Sequence, residues 1–111
     1  MSQHKKEIRN NFRQKVFERD KFKCRKCGIK SSECPLDAHH ITDRSLMPNG
    51  GYVSENGISL CDQEHGCHWK AEQFHITGKS VPGYSPEELY CLIGSSYEKA
   101  VIASDKLNRR D

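Results

Sequence analysis

Four cysteines of this chain fall into two pairs, Cys24 with Cys27 and Cys61 with Cys67, and 33 residues separate Cys27 from Cys61. No other feature limits the fold so strongly. Two such knuckles, brought together, supply the four tetrahedral sulfur ligands that zinc prefers, with little backbone strain. A site filled by four cysteines has no open position, so its zinc would be structural. The binding energy, about 10–16 kcal/mol in small zinc peptides, is large beside the stability of a small domain. With only 34% apolar residues, this chain needs such help. The second pair is more widely spaced than the first, and His65 lies inside it as an alternative fourth ligand. A redox role for Cys24 and Cys27 would call for a βαβ pattern around them, which is absent. Cys34 and Cys91 have no partners at ligand spacing and are read as ordinary cysteines.

A length of 111 residues predicts one domain, spanning 1–111. No apolar run approaches the roughly 20 residues that cross a bilayer. The basic start MSQHKKEIRNN is followed by no apolar export segment. The expectation is a protein with no membrane partner, in a reducing cytoplasm where clustered cysteines bind metal more often than they pair. The net charge of +3 is unevenly spread: residues 1–30 carry 11 Lys or Arg against 3 acids. A basic first quarter suggests contact with a polyanion. Arg9, Arg13, Lys15, Arg19, Lys21, Lys23, Arg25 and Lys26 are the residues expected to make it. Charge alone favours a solvated helix face over such a contact.

Ile8, Phe12, Val16 and Phe17 predict a helix from about Glu7 to Asp20. Residues 24–30 form a knuckle in which Gly28 supplies the turn. Short strands are expected at Leu36–Ile41 and Gly57–Leu60, joined by a loop rich in turn residues, and then a helix at Cys67–His75. The core of the domain would cover about residues 12–76, followed by a helical extension over about 84–109. Ser85, Pro86 and Glu88 form a capping box that starts its first helix. Leu89, Leu92 and Ile93 are expected to face inward there, and Gly94 to end the helix. A last helix, from Ser96 to about Asn108, would place Tyr97, Val101 and Ile102 on one side.

The histidines make a second constellation. His39 and His40 end the first strand, Asn56 precedes the second by one residue, and His68 opens the next helix directly after Cys67. With the cysteines interleaved, this order resembles the HNH endonuclease family, whose centre is a ββα-metal, or His-Me, finger. The resemblance rests on FKCRKCG, LDAHHI, SENGISLC and CHWK and runs from about Phe12 to His75. It implies an α+β fold: a ββα-metal finger held by a four-cysteine structural zinc, with flanking N-terminal and C-terminal helices. It also implies a metal-dependent DNA endonuclease, nicking or cutting both strands, with DNA as partner and a phage or mobile-element setting.

Roles follow from the resemblance residue by residue. His40 would be the general base, and His39 and His68 would bind the catalytic cation. Asn56 would fix the loop between the strands and help to hold His40 or the metal. Glu72, one turn after His68, is a further candidate ligand, because a carboxylate suits Mg2+ or Mn2+; Ni2+, Co2+ and Zn2+ are the alternatives. Asp37 shares a strand face with His39 and could orient it or a basic side chain. The same alternation predicts that His39 and His40 point apart. The stretch CDQEHGC departs from the family's shorter spacing.

The chemistry supports these residue types independently. Phosphodiester hydrolysis needs a base near neutral pH, which histidine supplies, and a cation to neutralise the phosphate and the leaving oxygen. Singly, each of these histidines reads as an ordinary polar residue, and His4 and His75 are assigned no role. Trp69 is expected in the core or beside the knuckle. The competing function is a non-catalytic zinc-knuckle module that binds nucleic acid. A monomer or a homodimer, with or without a specificity or packaging partner, suits either reading. The encoding genome would be bacterial or phage.

Overall fold

The structure, a computed structural model, describes residues 2–107. The chain folds as α+β, with four α-helices and a two-stranded antiparallel sheet among the described residues. Helix α1 spans Ser2–Arg19 and starts earlier than expected. The added residues end in Lys5 and Lys6, and lysine is a good helix former that needs no apolar face. The chain then reverses through Lys21 and Phe22, both left-handed at φ 58° and 57°.

Strand β1 (Leu36–His40) pairs antiparallel with β2 (Gly57–Cys61), in a register that sets Leu36 opposite Cys61 and His40 opposite Gly57. Ala38 packs on Phe12 and Val16 of α1. The other face meets the main core, which includes Ile58, Leu60, Ala71, Leu89 and Tyr90. Gly57 is where α1 comes closest. A Cβ there would lie 2.6 Å from Val16 Cγ2 and 2.7 Å from Phe12 Cε1, so only glycine admits the helix. The segment between the strands is built of three 3-10 turns, Arg44–Leu46, Pro48–Gly51 and Ser54–Asn56.

Helix α2 covers Cys67–Thr77 and stops at left-handed Gly78, whose N–H bonds to the Phe74 carbonyl. Helix α3 (Pro86–Leu92) has the expected capping box, with Ser85 accepting from the Glu88 N–H and the Glu88 side chain accepting from Ser85. Helix α4 (Tyr97–Lys106) is capped by Ser96. The expected end of α4 near Asn108, and of the extension near 109, lies outside the described residues.

The inward faces of these last helices differ from expectation. Leu92, Tyr97 and Ile102 are exposed, whereas Leu89, Tyr90, Ala100 and Ser104 are buried. With seven residues α3 has fewer than two turns to bury, and left-handed Gly94 ends it. The side of α4 against the inter-strand segment is lined by small residues. The two come close enough there for Asn49 Nδ2 to donate to the Ser104 carbonyl at 3.0 Å. No described helix is long and apolar enough to cross a membrane.

Buried Asp20 ties three elements together. Its carboxylate accepts from Arg19 Nε (2.8 Å) and Nη2 (2.9 Å), from Arg25 Nη1 (2.7 Å) and from the Ser59 N–H (2.9 Å). Burial raises its pKa, but these donors outweigh it and hold the carboxyl below the ordinary carboxylate range.

Candidate metal centres

The knuckle after α1, the end of β2 and the start of α2 bring Cys24, Cys27, Cys61 and Cys67 together, with all four Sγ atoms within 4.8 Å of one another. Cys27 and Cys61 Sγ are 3.8 Å apart. A tetrahedron with Zn–S bonds of about 2.3 Å has edges of about 3.8 Å, so this spacing suits a metal and is far too long for a disulfide. Backbone donors already point at sulfur, Cys27 N–H to Cys24 Sγ at 3.4 Å and Cys67 N–H to Cys61 Sγ at 3.3 Å. Although burial raises the Cys24 pKa, N–H groups from Cys27 and Lys26 bring it down to about 7. These residues could hold a structural metal ion. His65, the alternative fourth ligand, stands apart from this group, left-handed and edge-on to exposed Trp69 at 4.6 Å. Trp69 is therefore not a core residue. Cys34 and Cys91 stay outside the group as well.

A second cluster forms between β1 and α2. The pleat turns His39 toward α2, while His40 turns toward α1 and stacks on Phe12 at 4.5 Å, so the two histidines do point apart. His39 is 2% exposed, and neither ring nitrogen has a hydrogen-bond partner. Glu72 Oε2 lies 3.3 Å from His39 Nδ1 and 3.4 Å from His68 Nε2. The contact with His39, and then the charges of His68 and His75, hold Glu72 down to about 2 despite burial. Burial pushes His39 down, reinforced by His68 and His75. Asp37 sits 3.1 Å from His68 Nε2, so the strand carboxylate pairs with His68 and not with His39. Asp62 lies 3.7 Å from His68 Nδ1.

His75, to which the sequence reading gave no role, joins this cluster. One ligand atom each from His39, Glu72 and His75 falls within 4.8 Å of the others. The signal was present in the spacing, since His68, Glu72 and His75 at i, i+4 and i+7 share one helix face. The orphaned nitrogens of His39 and the adjacent carboxylate suit a divalent cation, because imidazole and carboxylate are its ordinary ligands.

His40 is half-buried and its Nε2 has no partner. Burial first, and then the charges of His39 and Arg44, lower its pKa to about 4, so the imidazole is neutral at neutral pH. Tyr52 meets its ring edge-on at 4.8 Å and in turn accepts from Arg44 Nη1 at 2.8 Å. Tyr52 and Arg44 line a groove of about 600 Å³ together with Lys5, Ile8, Arg9 and Leu107. Neither residue was singled out in the sequence.

Fully buried Asn56 fixes the loop between the strands, bonding to Thr42, Gly51 and Tyr90. Its side chain makes no bond to His40 or to the second cluster, so of its two expected roles the structure carries the first. The basic residues divide in two. Arg9, Arg13, Lys15, Lys21 and Lys23 are exposed. Arg19 is taken up by Asp20 and by the Ser54 and Gly57 carbonyls at 2.7 Å each. Arg25 donates to Asp20 and to the Leu92 carbonyl, and Lys26 to the Gly83 carbonyl at 2.9 Å, which pins the C-terminal extension to the knuckle.

Comparison with protein-family models, with curated proteins and with solved structures finds no match for the chain.

Proposed function

We propose that this chain is a metal-dependent DNA endonuclease of the HNH kind. One observation carries the reading: His39 and His40, adjacent at the end of β1, face opposite ways, one into a histidine–carboxylate cluster and the other against Phe12 and Tyr52, of which Tyr52 lines a groove with Lys5, Arg9 and Arg44. Water attacks the phosphorus, its proton passes to the neutral imidazole of His40, and the bond from phosphorus to the leaving sugar oxygen breaks. His39 and Glu72, with His68 beside them, would hold a divalent cation, which would neutralise charge on the phosphate and the leaving oxygen. The exposed arginines and lysines of α1, with Arg44, attract and position the phosphate backbone without reading sequence. The four-cysteine centre would hold structural zinc and tie the knuckle, the end of β2 and the start of α2 together.

The experiment is relaxation of supercoiled plasmid by the full chain with Mg2+, Mn2+ or EDTA. Open-circular or linear product with either cation, and none with EDTA, is the expected result. Duplex binding with no cleavage under any divalent cation would instead favour the non-catalytic zinc-knuckle module, which the cysteine centre and the basic helix also suit.

A further inference from the structure

The His39 imidazole is buried without a hydrogen bond at either nitrogen and with only the Glu72 carboxylate beside Nδ1, which is costly unless another group meets it. The side chains facing it come from α2. Glu72 is 3.3 Å away, His68 is edge-on at 5.4 Å between ring centroids, and His75 is stacked at 5.2 Å with 22° between planes. His68 has three carboxylates around it, Asp37, Asp62 and Glu72. His75 differs: its Nε2 lies 3.0 Å from the carbonyl oxygen of His40. A carbonyl can only accept, so Nε2 carries the proton, and in the neutral ring Nδ1 keeps its lone pair. Metal-ligating histidines are held in this way, one nitrogen donating to a backbone carbonyl while the other binds the ion.

We propose that His75 is a ligand of the divalent cation, through Nδ1, alongside His39 and Glu72. The inference rests on the reading that His39 and Glu72 hold a cation. Its consequence is a direct link within the site, because the imidazole that binds the cation also holds the main chain of His40. Metal occupancy and the placement of the base are then coupled through one residue.

The test uses the full chain with its cysteine centre loaded with zinc, without DNA, titrated with Mn2+ by calorimetry. His75→Ala should weaken Mn2+ binding by about 100-fold, the upper end of what loss of a supporting group costs. His75→Gln keeps a donor for the His40 carbonyl but lacks Nδ1, so it should lose as much. Wild-type affinity in the glutamine variant would overturn the proposal, since His75 would then be only a strut. A second measurement needs no variant: with 15N-labelled histidines, a second equivalent of Zn2+ should shift His75 Nδ1 and leave Nε2 protonated. Movement of His39 alone would overturn the proposal. If no histidine responds to the cation, both this inference and the cation reading fail. A cation bound through His75 in a chain that cuts no plasmid supports the inference and ends the nuclease reading.

Discussion

The Tyr90 hydroxyl donates a 2.7 Å hydrogen bond to Oδ1 of Asn56. The same oxygen accepts from the Thr42 N–H at 2.9 Å, and Nδ2 donates to the Thr42 and Gly51 carbonyls at 3.1 and 3.2 Å. All four bonds that a carboxamide can make are made, in a fully buried position. Helix α3 therefore closes the segment that follows His40, and the C-terminal extension belongs to the site's framework. Tyr90→Phe should lower stability by about 1–3 kcal/mol by leaving Asn56 Oδ1 short of a donor and the Thr42 hydroxyl short of an acceptor. Asn56→Ala should cost more, because it strips partners from two backbone carbonyls, an N–H and Tyr90 at once. Urea unfolding of zinc-loaded protein measures both, and an unchanged midpoint in Asn56→Ala would contradict this role.

Removing the metal should unfold the chain. About one zinc per chain is expected, and Cys24→Ser, Cys27→Ser, Cys61→Ser or Cys67→Ser should each release it with loss of structure, whereas His65→Ala should not. Metal analysis and circular dichroism with and without a strong chelator check this. A folded, zinc-free Cys24→Ser protein would contradict a structural centre.

The strands, the knuckle and the Ser85–Glu88 cap were legible in the sequence because each is a local rule: alternation, a turn glycine, a reciprocal hydrogen bond. That His39, His68 and Glu72 lie near one another was legible from order and helical spacing, but the tightest group is His39, Glu72 and His75. What the sequence hid is tertiary. Arg19, Arg25 and Lys26 read as surface charge until buried Asp20 and the carbonyls of Leu92 and Gly83 were seen beside them. The inward side of α4 is small and partly polar, Ala100 and Ser104, because a turn of chain lies close against it. Leu92 and Ile102 looked more suitable by hydrophobicity alone. Tyr90 carries no motif of its own; only the position of Asn56 gives its hydroxyl a purpose.

Stability should fall at low pH through Asp20. Its folded pKa is depressed, so its contribution is complete above the unfolded value of about 3.9 and is lost as pH drops through the lower folded value. Asp20→Asn should cost about 3 kcal/mol near pH 7, as a broken buried pair does, and should flatten the loss below about pH 4. The difference in unfolding free energy between wild type and variant, followed from pH 7 to pH 2, checks the sign. A gap that widens on acidification would refute it.

DNA affinity should fall with salt, and the slope should depend on the exposed cations. Each neutralised phosphate contributes about −0.9 to the log–log slope. Replacing Arg9, Arg13 and Lys15 by Ala together should make the slope shallower by up to about 3 units. Arg25→Ala with Lys26→Ala should instead loosen the C-terminal extension, visible as faster amide exchange in α3, with little change in slope. Binding of protein without its divalent cation from low to moderate salt distinguishes the two outcomes.

The central claim is that His40 takes the proton from the attacking water, and His40→Ala tests it most directly. Plasmid cleavage by wild type and variant should be timed at saturating Mn2+, with zinc content and duplex affinity measured on the same samples. The expected result is a loss of about 10²–10⁴-fold in rate with zinc and binding retained. Cleavage at the wild-type rate by a folded, zinc-loaded His40→Ala protein would contradict it.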